Sequence, residues 1–121
     1  MVAAWVAEHD GEVAGHVALV RGLNVECLLR ATGLPLEALG GIVRLYVDPG
    51  FQRLGLARAL LDTVTAAATA RGLRPVLDVV DDSAPAIALY EQAGWKLAGI
   101  QPATWTDPDG SIPVIRCYIG P

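Results

Sequence analysis

Apolar residues recur along this chain at changing periods, and each change of period marks an element. Ala3–Glu8 and Glu12–Arg21 are rich in Val and Ala, with Asp10-Gly11 between them. Two apolar runs around an Asp-Gly pair predict a β-hairpin. Ile42–Val47 is β-branched and aromatic and reads as a strand. From there the period lengthens. Leu56, Leu60, Val64 and Ala68 fall at helical spacing, Ala57 and Leu61 widen the stripe, and Gly72 after Arg71 stops it. Pro75–Val80 is a short apolar strand of the kind found inside a sheet. Ala84–Ala93 predicts a second helix, with Asp82 or Ser83 as cap, Pro85 in its first turn and Gly94 at its end. Trp95–Ala103 and Ile112–Ile119 are strands around an Asp107-Pro108-Asp109-Gly110 turn.

Residues 22–40 fit neither period for long. Cys27-Leu28-Leu29 suggests a short helix, and Gly33, Pro35, Gly40 and Gly41 interrupt it. The predicted order is β-β-insert-β-α-β-α-β-β, without repeats or linkers, in a single domain over residues 1–121.

Composition narrows the function classes. A hydrophobic content of 53% supports one core and excludes a disordered chain. No apolar run reaches the roughly 18–20 residues of a membrane span, and no signal peptide opens the chain, so a cytoplasmic location is expected. The net charge of −4, with dispersed basic residues, argues against a nucleic-acid surface. Cys27 and Cys117 are the only cysteines and lack metal-ligand spacing, so they read as ordinary buried thiols and no metal is expected.

One stretch carries candidate chemistry. Gln52-Arg53-Leu54-Gly55-Leu56-Ala57 is a turn that leads into the first long helix. A helix N-terminus leaves N–H groups without intrahelical partners and carries a partial positive charge, so a tight turn there can cradle a phosphate. Gly55 and Ala57 are small enough for close approach, and Gln52, Arg53 and Arg58 offer side-chain donors. The turn is neither a Walker A loop nor a dinucleotide fingerprint. Taken alone, it fits an ordinary strand–turn–helix connection better, because short motifs recur by chance.

Two separated blocks extend the picture. Val47-Asp48-Pro49 followed by Gln52-Arg53-Leu54-Gly55-Leu56-Ala57 resembles the first motif of the GNAT superfamily of acyl-CoA-dependent N-acetyltransferases. Ser83-Ala84-Pro85-Ala86, then Tyr90 and Gly94-Trp95, resembles the family's second block. The resemblance runs from about Trp5 to Tyr118 and implies an α+β fold. In that fold a mixed, mostly antiparallel sheet is flanked by helices, and two parallel strands splay apart around acetyl-CoA. Those strands are expected to be Ile42–Val47 and Pro75–Val80. The resemblance implies that backbone N–H groups of Gln52, Arg53, Leu54, Gly55, Leu56 and Ala57 hold the pyrophosphate. It also implies that Leu45, Tyr46 and Val47 pair with the pantetheine arm as a strand would.

The implied reaction moves an acetyl group from acetyl-CoA, as cosubstrate, to a primary amine of a small molecule or peptide by direct attack on the thioester. Tyr90 matches the family tyrosine that protonates the departing sulfur, and a tyrosine near its ordinary pKa of ~10 keeps its proton at neutral pH. No acidic residue occupies Ile42–Val47, so the general base is open among Glu26, Glu37, His16 and a water chain. Asp48 reads as a loop or cap residue, and Asp81 and Asp82 as helix flanks. Ser83 stands where the family commonly has Asn; its hydroxyl reaches less far, so its pantetheine contact is weakened.

The resemblance implies a first strand and two helices ahead of the hairpin, whereas Met1 falls almost directly on it, so the expectation is either a truncated chain or another element in their place. Val6, Val17 and Leu19 are then expected to be partly bared unless the insert, with Leu28, Leu29, Leu34, Leu36 and Leu39, folds over them. A homodimer through the hairpin or the insert is the expected alternative cover. A non-catalytic acetyl-CoA-binding module with an incomplete acceptor site is the competing function.

Overall fold

The computed structural model describes residues 1–52 and 54–121. Six strands form one sheet: β1 (Ala3–His9), β2 (Glu12–Arg21), β3 (Leu39–Val47), β4 (Arg74–Val80), β5 (Lys96–Pro102) and β6 (Val114–Ile119). Their spatial order is β1-β2-β3-β4-β6-β5. Every neighbouring pair is antiparallel except β3 and β4. The helices are α1 (Glu26–Thr32), α2 (Leu56–Ala70) and α3 (Ala84–Gln92). The architecture is therefore α+β with a mixed sheet. Among the described residues no helix is long and apolar enough to cross a membrane.

The hairpin forms as its turn chemistry requires. Asp10 and Gly11 both have positive φ, 52° and 81°, the pair of left-handed residues that a two-residue type I′ turn needs. His9 then pairs with Glu12, and the register puts Trp5, Ala7, Val17 and Leu19 on one face.

That face is covered by α2. Leu60, Leu61, Val64 and Ala68 are buried against Val17, Leu19 and Ile42. Each buried leucine contributes about 1.5–3 kcal/mol. α3 joins the same layer through Tyr90, Ala86, Ile87 and Leu89, next to Leu77 and Tyr118.

The opposite face carries a smaller core. Leu28 of α1 packs with Val25, Leu39, Val76, Ile115 and Cys117. Among the described residues α1 and the insert residues before it cover this side, and α1 lies over β5 and β6 rather than over β1 and β2. Two expectations are corrected here. Val17 and Leu19 are fully buried, because they face α2; Val6, of opposite parity, stays 58% exposed. Among the described residues the insert meets β2 chiefly through its 3-10 turn, with Leu34 and Leu36 exposed and Leu39 belonging to β3.

Candidate active site

The sheet opens at its centre. β3 and β4 pair only at Leu39–Arg74, Gly40–Pro75 and Gly41–Val76, although β3 continues to Val47 and β4 to Val80. A bulge accompanies the opening: the β2–β3 register shifts between His16 and Ala18, and Arg44 takes φ 58°. A left-handed non-glycine residue in a strand bends the chain and re-aims the groups after it. Leu45–Val47 thus keep β2 on one side and leave the edge toward β4 unpaired by strand. Gly15 makes room for the bend, since a Cβ there would lie 2.6 Å from the Tyr46 carbonyl oxygen.

A cleft of about 480 Å³ occupies this opening. Leu45, Tyr46 and Val47 form one wall, and Pro85, Ala86, Leu89 and Tyr90 of α3 form the other. Its far end is closed by Phe51, Gln52 and the first turn of α2 from Gly55 to Arg58.

The turn before α2 is built by local chemistry. The Asp48 carboxylate accepts the Gly50 N–H at 3.0 Å and sets up a short 3-10 turn over Pro49–Phe51. Gly55 occupies the N-cap of α2 with φ 75°, and no side chain caps the helix. Its first N–H groups are therefore left for solvent or a ligand, at the positive end of a 15-residue helix. Arg58 adds a guanidinium at the cleft, with its Nε donating to Asp62 Oδ1 at 3.0 Å.

At the other end Tyr90 is only 7% exposed and packs near the rings of Trp95, at 6.2 Å, and Tyr118, at 6.0 Å. Burial pushes its phenol above the ordinary 10.0, and the charge of Asp78 pushes the same way. Tyr90 therefore holds its proton throughout the neutral range.

Asp78 lies on β4 beyond the last β3–β4 pair and opposite Cys117 of β6, outside the cleft lining. Leu77 and Val79 of β4 face the α2–α3 core, so strand alternation turns Asp78 to the α1 face. It is half-buried with no side-chain partner among the described residues. Burial raises its carboxyl above the usual 3.8, with its own backbone opposing. Tyr90 lines the cleft and Asp78 lies on the other face of β4, with its charge adding to the upward shift of the Tyr90 phenol.

Residues 2–95 match the Acetyltransferase (GNAT) family. The chain belongs to that family. A mycothiol acetyltransferase from Acidothermus cellulolyticus is 39% identical over 95 residues, which is 76% of this chain and 29% of that protein. The [ribosomal protein bS18]-alanine N-acetyltransferase of Escherichia coli is 39% identical over 70 residues, 57% of this chain and 47% of that one. The chain spans from 20% to 47% of the lengths of the curated relatives it matches. In fold it is similar to the Salmonella typhimurium protein yncA, solved with its cofactor acetyl-CoA. The TM-score is 0.77 at 20% identity, over 96% of this chain and 62% of that one.

Within this GNAT domain, the cleft brings together Leu45, Tyr46, Val47, Gln52, Gly55, Leu56 and Ala57 with Tyr90 on the far wall. Two candidates from the sequence lie apart. Leu54 is 50% exposed and does not line the cleft. Ser83 sits at the N-cap of α3, where its side chain makes no capping bond, and it also stays outside the cleft lining. Arg53 lies outside the described residues.

The structure sorts the candidate bases as well. Glu26 is ion-paired with Arg30 on the surface, and Glu37 sits exposed in the 3-10 turn Leu36–Ala38. His16 stacks at 5.8 Å on Tyr46, an exposed pair beside the cleft. Asp78, absent from the sequence reading, is the carboxylate whose charge acts on the Tyr90 phenol. Its signal was present: it is the single charged residue within the run Pro75–Val80. A lone carboxylate in an interior strand needs a reason. Phe51 is a further cleft residue that motif spacing did not single out, and Arg58, one of the donors the sequence offers, lines the cleft as well.

Proposed function

We propose that this GNAT domain transfers the acetyl group of acetyl-CoA to a primary amine of a small molecule or a peptide. One observation carries the reading. A single cleft runs from the uncapped N-terminus of α2 along the free edge of β3 to the buried phenol of Tyr90.

Each part has a task. The N–H groups that open α2, with Gln52 and Arg58, suit a diphosphate, because they combine unpaired donors with the positive helix end. The free backbone edge of Leu45–Val47 suits an extended amide-bearing chain such as pantetheine, which pairs as a strand would. The apolar wall of Pro85, Ala86 and Leu89 suits its methylenes.

The acceptor nitrogen attacks the thioester carbon from the α1 side, where Asp78 lies. As the C–N bond forms, Asp78 accepts the proton that the nitrogen sheds. A carboxylate raised by burial is a stronger base than an exposed one. A free N–H of the 45–47 segment faces the developing oxyanion. As the C–S bond breaks, Tyr90 gives its proton to the sulfur. The transfer needs Tyr90 protonated and Asp78 ionised.

Calorimetric titration with acetyl-CoA, followed by transfer assays on a panel of small amines and peptide N-termini, tests the reading. Saturable binding with transfer to at least one amine is expected. No binding refutes the site. Binding without transfer to any acceptor identifies a non-catalytic acetyl-CoA module.

A further inference from the structure

We propose that Cys27 and Cys117 are a thiol pair that a peroxide oxidises to an intramolecular disulfide tying α1 to β6. The pair is separate from the acetyl-transfer reading and stands whether or not that reading holds.

The two cysteines are brought together by the tertiary fold from opposite ends of the chain. Cys117 is fully buried in β6, in the small core under α1. Its cross-strand partner in β5 is Gly99. The Cys27 side chain lies directly over that glycine: a Cβ on Gly99 would stand 3.3 Å from Cys27 Cβ and 3.5 Å from Cys27 Sγ. The absence of a side chain at Gly99 is therefore what lets Cys27 settle beside Cys117. Two contacts hold it there. The Cys27 N–H donates to Gln101 Oε1 on β5 at 2.9 Å, and Leu28, its neighbour in α1, is fully buried.

The two sulfurs differ in access. Cys27 is half-buried and Cys117 is closed to solvent. Burial holds the Cys117 thiol far above its ordinary pKa, and the adjacent Cys27 and the charge of Asp78 on β4 act in the same direction. Cys27 is thus the sulfur that an oxidant meets first; Cys117, held as a thiol, is the one that resolves it and must lose its proton as it attacks.

The chemistry balances with a peroxide as oxidant. The Cys27 sulfur attacks one peroxide oxygen; an S–O bond forms, the O–O bond breaks, and the other oxygen leaves as water with the Cys27 thiol proton. The Cys117 sulfur then attacks the Cys27 sulfenic sulfur. An S–S bond forms, the S–O bond breaks, and the departing hydroxide takes the Cys117 proton as a second water. Two thiols lose two electrons, and one peroxide gains them.

The bridge closes most of the chain into one loop, which restricts the unfolded ensemble strongly. Treatment of the reduced full chain with one equivalent of hydrogen peroxide should give a monomer lighter by two hydrogens. Non-reducing digestion should yield one peptide joining residues 27 and 117. The thermal midpoint should rise on the order of 10 °C and return with dithiothreitol. Cys27→Ser should stay folded, form no cross-link and show no rise. Cys117→Ala should leave Cys27 to accumulate sulfenic or sulfinic acid. Stable Cys27 sulfinic acid with a free Cys117 thiol in the unaltered chain, a bridge between two chains, or a lower midpoint after bridging would each overturn the proposal.

Discussion

Gly55 is the position at which backbone strain and ligand charge can be separated. It has φ 75° at the N-cap of α2, and a Cβ placed on it would meet nothing within 4 Å. Gly55→Ala therefore costs conformation alone. A left-handed L-residue costs about 1–2 kcal/mol, and roughly 0.4–1 kcal/mol is offset because alanine restricts the unfolded chain. The net loss should be about 1 kcal/mol, a fall of about 3–6 °C in thermal midpoint for a domain this size. Gly55→Glu carries the same strain and adds a carboxylate beside the proposed diphosphate. Two unit charges about 5 Å apart at an effective dielectric near 20 repel by ~3 kcal/mol, and salt at an exposed turn removes part of that. Acetyl-CoA should then bind roughly 10–100-fold more weakly to the Glu variant than to the Ala variant. Thermal unfolding of both variants without ligand sets the strain, and calorimetry with acetyl-CoA measures the difference. The two variants should have matching midpoints without ligand and very different affinities. Equal affinities for Ala and Glu at low salt would place the diphosphate elsewhere and refute the reasoning.

Tyr90→Phe should lower kcat by about 10²–10⁴-fold while acetyl-CoA affinity stays within a few-fold, since a proton donor acts on the transition state; unchanged kcat with a competent amine would remove Tyr90 from the acid role. Asp78→Asn should abolish the rise of kcat/KM with pH that a basic carboxylate gives, and a rise that persists at the same pH would exclude Asp78 as the base. The same change should raise stability at neutral pH. The folded pKa of Asp78 lies above its ordinary 3.8, so the folded chain binds the extra proton and loses stability as pH rises from there through the raised value. Asparagine removes that loss, and the midpoint gain should vanish below the ordinary carboxylate pKa; a midpoint gap independent of pH would contradict it. Arg44→Gly should stabilise the domain by about 0.5–1 kcal/mol by relieving φ 58° in β3, and a lower midpoint in chemical denaturation would show that the arginine side chain holds the bulge.

The sequence by itself determined the features whose causes are local. Asp10-Gly11 dictates its turn because both residues tolerate positive φ, and the Leu56–Ala68 spacing dictates α2 because a helix repeats every 3.6 residues. Gly55 and the donors around it were visible as a candidate anion turn for the same reason: the needed geometry is confined to a few consecutive residues. Tyr90 was visible through the resemblance of its block. What only the tertiary structure decided is which residues share a face. Alternation turned Val17 and Leu19 under α2 and left Val6 outside, and contact with β5 and β6 took α1 away from the hairpin. The opening between β3 and β4 depends on where pairing stops, at Gly41 and Val76, and no periodicity encodes that point. Asp78 comes within electrostatic reach of Tyr90, and Cys27 comes over the Gly99–Cys117 pair, only when elements distant in sequence are packed together. Local propensity acts over one turn or one strand, whereas chemistry between side chains acts over a few ångströms of space; the fold alone converts one into the other.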